Sequence, residues 1–200
     1  MASSLKTEFF LIFFLTPIFL SFLISSQLVF LFLYVIFLIS IYILKKDKNF
    51  KFANLKKNID WKFSFYLSLL FLVSGFIYTL AFEPNLLFDL PKKNFKLWLI
   101  VIFLYPFLSV IPQEFIYRVF FYHRYRFVFN NSKKTMMISN MVVFSFGHIV
   151  FHNPHAIFIT ALVSPIFSYA YNEKSFMTCV FIHSIGGLII FTLGLGQFFF

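Results

Sequence analysis

Along this chain the apolar side chains neither alternate with polar ones at the period of a strand nor keep to one stripe of a helix. They come in long runs divided by short polar segments. About 20 mostly apolar residues are needed for a helix to cross the hydrocarbon core of a bilayer. Seven runs approach that length: about Phe9 to Ile24, Leu28 to Leu44, Phe63 to Phe82, one beginning near Leu97, Thr135 to Phe151, Ile157 to Tyr171, and Phe176 to Leu193. In lipid every backbone polar group must be paired within the protein, which leaves helices or a closed barrel. Ten-residue alternating segments are absent, so the pattern predicts an all-α, polytopic helical membrane protein with about seven transmembrane helices. Without a repeat or a linker, residues 1–200 read as a single membrane domain, with N-terminal helices in 1–96 and a motif-bearing core in 97–200. The first run follows Lys6 as a signal peptide would. It is long, however, and after Ser25-Ser26-Gln27 no small-x-small cleavage site follows, so it is read as a membrane helix.

The fourth run is unusual. From Leu97 to Phe129 little but Pro106 and Pro112 interrupts it. Thirty-three residues at 1.5 Å each would span about 50 Å, against a core of about 30 Å. A long, kinked or tilted helix projecting from the membrane is expected, with the prolines as the kinks.

Composition sharpens this picture. Of the 200 residues 60% are hydrophobic and only 12% charged, more apolar surface than a water-soluble fold of this length could cover. The net charge of +10 is gathered in the segments between the runs, not on one face of a domain, so nucleic acid is not an expected partner; the bilayer is. Seven lysines lie between Lys45 and Lys62, and Arg124, Arg126, Lys133 and Lys134 lie in the segment from His123 to Lys134. The positive-inside rule puts both segments, Asn172-Glu173-Lys174 and the N-terminus in the cytoplasm. The turn at His152-Asn153-Pro154-His155 and the segment from Glu83 to Lys96 then lie outside, the latter despite three lysines. Labelling of an Asn130→Cys variant from one side or the other tests this orientation. The single Cys179 excludes an intramolecular disulfide and a cysteine-based metal cluster, and its apolar setting reads as packing.

Most ionisable residues fall in loops or at helix ends, and His123, His152 and His155 are read as interfacial. Glu114 sits deep in an apolar run with Arg118 four residues on, on the same helix face. Such a group costs at least about 2.5–3.5 kcal/mol at the bilayer centre, which marks a functional candidate. His148 and His183 lie within two other runs. Counted from the cytoplasmic ends, Glu114, His148 and His183 sit roughly 22, 21 and 14 Å deep. Three ionisable groups on three helices can therefore share one cavity. A structural ion pair and two interhelical histidines are the alternative for each residue taken singly.

These residues also fall into a familiar order. Gln113-Glu114-Phe115-Ile116-Tyr117-Arg118 resembles the Glu-Glu-x-x-x-Arg motif of the CPBP family, the intramembrane CAAX-processing and bacteriocin-processing proteases, also called the Abi family. Phe144-Ser145-Phe146-Gly147-His148 resembles its Phe-x-x-x-His motif, and His183-Ser184-Ile185-Gly186-Gly187 its His-x-x-x-Asn motif. The resemblance covers roughly Pro106 to Gln197. It implies an intramembrane endopeptidase that cleaves a membrane-associated peptide or protein, or a lipid-modified C-terminus, with a glutamate-activated water assisted by histidine. It also implies an integral protein of the bacterial inner (plasma) membrane. Carried over by position, Glu114 becomes the base, His148 and His183 assist, and Arg118 holds the glutamate. No cofactor is expected; Glu114, His148 and His183 are the residues that would ligate a metal.

Two positions depart from the family pattern. The first glutamate is Gln113, whose neutral amide cannot take a proton from water. Either Glu114 has taken over, which needs a rotated helix because neighbouring residues point about 100° apart, or the chain is a silent member acting as an immunity factor or membrane scaffold. The third motif ends in Gly187, which removes a possible hydrogen-bond donor for an oxyanion. A small proton-coupled transporter using the same groups is a third reading, unsupported by broken helix pairs or an inverted repeat.

Overall fold

The computed structural model describes residues 2–23 and 26–199 and, among them, contains helices and connecting turns without strands. The helices are α1 (2–23), α2 (Ser26–Lys46), α3 (Trp61–Phe82), α4 (Phe95–Arg124), α5 (Lys133–Gly147, continued by a tighter 3₁₀ turn His148–Phe151), α6 (Pro154–Tyr169, continued by a wider π turn Ala170–Lys174) and α7 (Phe176–Leu193). Ile24, the predicted end of the first run, and Ser25 lie outside the described residues. Six of the helices are long and apolar enough to cross a membrane. The seventh predicted span is present as α6, but Ser164, Pro165 and Ser168 dilute its apolar content and leave it outside that set. The chain is an integral membrane protein built from helices.

Helix starts are set by side chains that accept from otherwise unpaired N–H groups. Asp60 accepts from Phe63, Asn94 from Leu97, Ser132 from Thr135, Asn153 from His155 and Ser175 from Thr178. The helix within the fourth run ends at Arg124, five residues before the expected Phe129. Residues 125–131 form a turn in which Asn130 and Asn131 both adopt left-handed backbone, with φ of 51° and 55°, a conformation asparagine tolerates.

Polar contacts at the two ends confirm that neighbouring helices run in opposite directions. At one end Arg124 pairs with Glu8, His123 with Asp47, Lys174 with Asp60 and Lys133 with Glu173. This gathers the start of α1, the lysine-rich segment and the turns after α4 and α6. At the other end His152 Nε2 meets the Ser21 carbonyl, the Tyr78 hydroxyl meets His155, and Trp98 Nε1 donates to Thr192. His123 and His155, read as interfacial, are thus each held by a specific partner.

Phenylalanines and tyrosines fill the space between α1 and the second half of α4. Phe9, Phe13, Phe121 and Tyr125 meet edge-on or tilted at centroid separations of 5.2–6.0 Å. Large apolar side chains such as Phe22, Leu38, Phe65 and Phe103 point away from the protein, where lipid tails would cover them. α7 is the enclosed element: 56% of its most apolar stretch is buried, against 11% for α2 and α3.

Candidate active site

The site is organised by irregularities in α4. The helix widens to π geometry at Pro106–Val110 and again at Phe115–Phe120, with one α-helical turn, Ile111–Glu114, between them. Pro106 and Pro112 lack the N–H that regular α pairing would use, which favours rearranged hydrogen bonding here. A π turn inserts one extra residue. Tyr105 and Gln113, eight apart in sequence, therefore align roughly as residues seven apart do in an α-helix, on one face. Both line the main cavity of the structure, of about 490 Å³.

Glu114 points elsewhere. It is completely buried and does not line that cavity. Its Oε1 lies 2.7 Å from His183 Nδ1, and its Oε2 accepts from the Cys179 thiol at 2.8 Å. Arg118 Nε stands 3.3 Å from Oε2. The guanidinium lies 4.3 Å over the Phe144 ring and 5.6 Å over that of Phe167, and it makes long contacts to Ser164 at 3.4 and 3.5 Å. Both oxygens of the carboxylate are occupied, and its position fixes the proton of His183 on Nδ1. The imidazole stacks on Phe167 at 4.6 Å, which sets the plane of the ring, and its Nε2 faces the cavity and the Tyr105 hydroxyl at 3.4 Å.

His148 opens the 3₁₀ turn that ends α5 and is nine-tenths buried. Its Nδ1 meets the Phe144 carbonyl at 2.8 Å. A carbonyl only accepts, so Nδ1 carries the proton and Nε2 keeps its lone pair. Gln113 Nε2 donates to Ser109 at 2.7 Å, and Gln113 Oε1 is buried without a partner among the described residues. His148, His183, Gln113 and Tyr105 thus line one cavity, Glu114 stands behind His183, and Arg118 stands beside Glu114. Among the described residues the cavity lining contains no Asp, Glu, Lys or Arg.

Residues 95–189 match the family model described as "Type II CAAX prenyl endopeptidase Rce1-like". This stretch belongs to the CPBP family. It runs from the start of α4 into α7 and holds all five motif residues considered above: Gln113, Glu114, Arg118, His148 and His183. Comparisons with curated proteins and with solved structures give no match. At family level the CPBP assignment implies a membrane protease.

Cys179 was read from the sequence as packing only, whereas its thiol meets Glu114, and Tyr105 was not singled out. Cys179 precedes His183 by four residues, which puts both on one helix face, so spacing could have placed it against the same partner. Tyr105 had no such signal, because its alignment with Gln113 depends on the π turn. Among the described residues no three of His, Cys, Asp and Glu are disposed to hold a metal ion.

Proposed function

We propose that the chain is an intramembrane peptide hydrolase of the CAAX-processing type, acting on an uncharged segment of a membrane-associated or lipid-modified peptide. One observation carries this reading: His148, His183 and Gln113 line a cavity of about 490 Å³ whose lining, among the described residues, includes no Asp, Glu, Lys or Arg. Such a cavity suits an apolar ligand with a few polar groups to orient it. Because Glu114 faces away from the cavity, we assign the base to His148 and the support of His183 to Glu114. Water in the cavity attacks the peptide carbonyl carbon and gives its proton to His148 Nε2. The tetrahedral oxyanion then collapses, the C–N bond breaks, and His148 returns that proton to the leaving nitrogen.

A second reading has its own support. Gln113 stands at the cavity wall where the family motif has a carboxylate, which favours a silent member that binds a membrane peptide without cutting it, as an immunity factor or scaffold. Cleavage of farnesylated and unmodified peptides by purified protein separates the two. The hydrolase reading expects turnover that a chelator leaves unchanged and that falls at least about 100-fold in His148→Ala. No turnover in wild type, with turnover gained in Gln113→Glu, establishes the silent member.

A further inference from the structure

Gly187 and Tyr105 occupy one another's space. A Cβ built on Gly187 would overlap the ring of Tyr105, meeting its edge and its hydroxyl oxygen. The phenol therefore fills the volume that a side chain at 187 would take, one turn beyond His183 on α7. Its ring is held by an edge-on contact with Phe191, with centroids 5.2 Å apart at 74°. Two turns earlier on α4, the Trp98–Thr192 hydrogen bond pins the same two helices.

We propose that the Tyr105 hydroxyl is the hydrogen-bond donor for the carbonyl oxygen of the bound peptide, supplied from α4 because position 187 of α7 carries no side chain. This assignment rests on the hydrolase reading above. The hydroxyl lies on the cavity wall, and its single polar partner among the described residues is His183 Nε2 at 3.4 Å. That separation is well beyond the usual O–H···N range, so the proton is not firmly held and the C–O rotor can turn it toward a ligand. A second donor of the lining, Gln113 Nε2, is engaged by Ser109 at 2.7 Å. Behind Tyr105 the order of groups is His183 and then Glu114, with His183 Nδ1 2.7 Å from the carboxylate. As negative charge grows on the carbonyl oxygen, the hydroxyl meets it while His183 Nε2 and the carboxylate behind it stay in place, so little reorganisation accompanies the step.

The test uses the full-length protein in detergent with a farnesylated peptide and its unmodified counterpart. Tyr105→Phe keeps the ring that fills the space over Gly187 and removes only the hydroxyl. It is expected to lower kcat about 100-fold, with KM within about twofold and the melting temperature unchanged. Tyr105→Ala combined with Gly187→Asn, which restores a donor from α7, is expected to recover about tenfold over Tyr105→Ala alone. Wild-type turnover in Tyr105→Phe overturns the proposal and leaves the hydrolase reading standing. A loss that tracks a lowered melting temperature makes Tyr105 a packing residue and likewise overturns it. Absence of cleavage by the wild-type protein removes the hydrolase reading, and this role with it.

Discussion

α4 supplies the arginine of two glutamate–arginine pairs, one at its end and one at its middle, and they are built differently. At the end, Arg124 grips Glu8 with two parallel bonds of 2.9 and 2.7 Å, and Tyr125 adds a third of 2.9 Å. In the middle, Arg118 approaches Glu114 through a single nitrogen at 3.3 Å, and its Nε and Nη1 have no hydrogen-bond partner among the described residues. The outer pair has the bidentate geometry that makes arginine–carboxylate contacts strong. The inner pair, fully buried, leaves guanidinium donors unmet while its carboxylate serves His183 and Cys179. Evidently the outer pair joins α1 to α4, whereas the inner one balances a charge whose position is dictated by His183. A buried pair of this kind contributes little net stability, yet removing one partner is severe.

This contrast can be pressed by substitution. Glu114→Gln preserves volume but strands the Arg118 charge, and is expected to lower unfolding stability by about 3–5 kcal/mol in a denaturant or thermal series. Replacing both partners together, as Glu114→Leu with Arg118→Met, is expected to return most of that loss; a single variant as stable as wild type would erase the distinction drawn here. Glu8→Gln at the partly exposed outer pair is expected to cost about 1 kcal/mol by the same measurement.

The third and smallest effect belongs to Asp60, which Lys174 meets at 2.9 Å outside the membrane-spanning segments. The Lys174 hydrogen bond, followed by the Phe63 N–H, holds the Asp60 carboxyl below its ordinary value. A lowered carboxyl stabilises the fold at pH above its unfolded value, about 4, and loses that contribution as pH falls through the lowered folded value. Asp60→Asn keeps a capping oxygen and removes the charge. Its melting-temperature deficit relative to wild type is therefore expected to shrink as pH is taken from about 6 to 3, and a deficit independent of pH would contradict the charge assignment.

Much of the architecture could be read from the apolar runs, because bilayer thickness imposes their length. The runs from Phe63 to Phe82 and from Phe176 to Leu193 end at Phe82 and Leu193 as helices do in the structure. The end of the fourth run could not be read that way. Phe127, Val128 and Phe129 prolong the apolar pattern, but the helix has already ended at Arg124, and these residues lie in the turn that the left-handed Asn130 and Asn131 close. Within the site, the depth count suggested that Glu114, His148 and His183 could share one cavity; His148 and His183 line it, whereas Glu114 lies outside the lining, against His183. The count did not reveal that Gln113 lines the cavity while Glu114 is packed outside the lining against His183. That division depends on the phase of a helix with π turns on both sides of the pair, and hydrophobic pattern carries no record of such turns. Tyr105 escaped notice for the same reason.

The interlock of Gly187 with the Tyr105 ring also bears on how such a sequence can change over generations. Any larger side chain at 187 collides with the ring, and loss of the ring opens a void beside a bare glycine. Each substitution alone carries a cost, although the two together fill the same volume. The positions therefore behave as one heritable character, and a lineage can pass from one arrangement to the other only by crossing a less fit intermediate or by changing both at once.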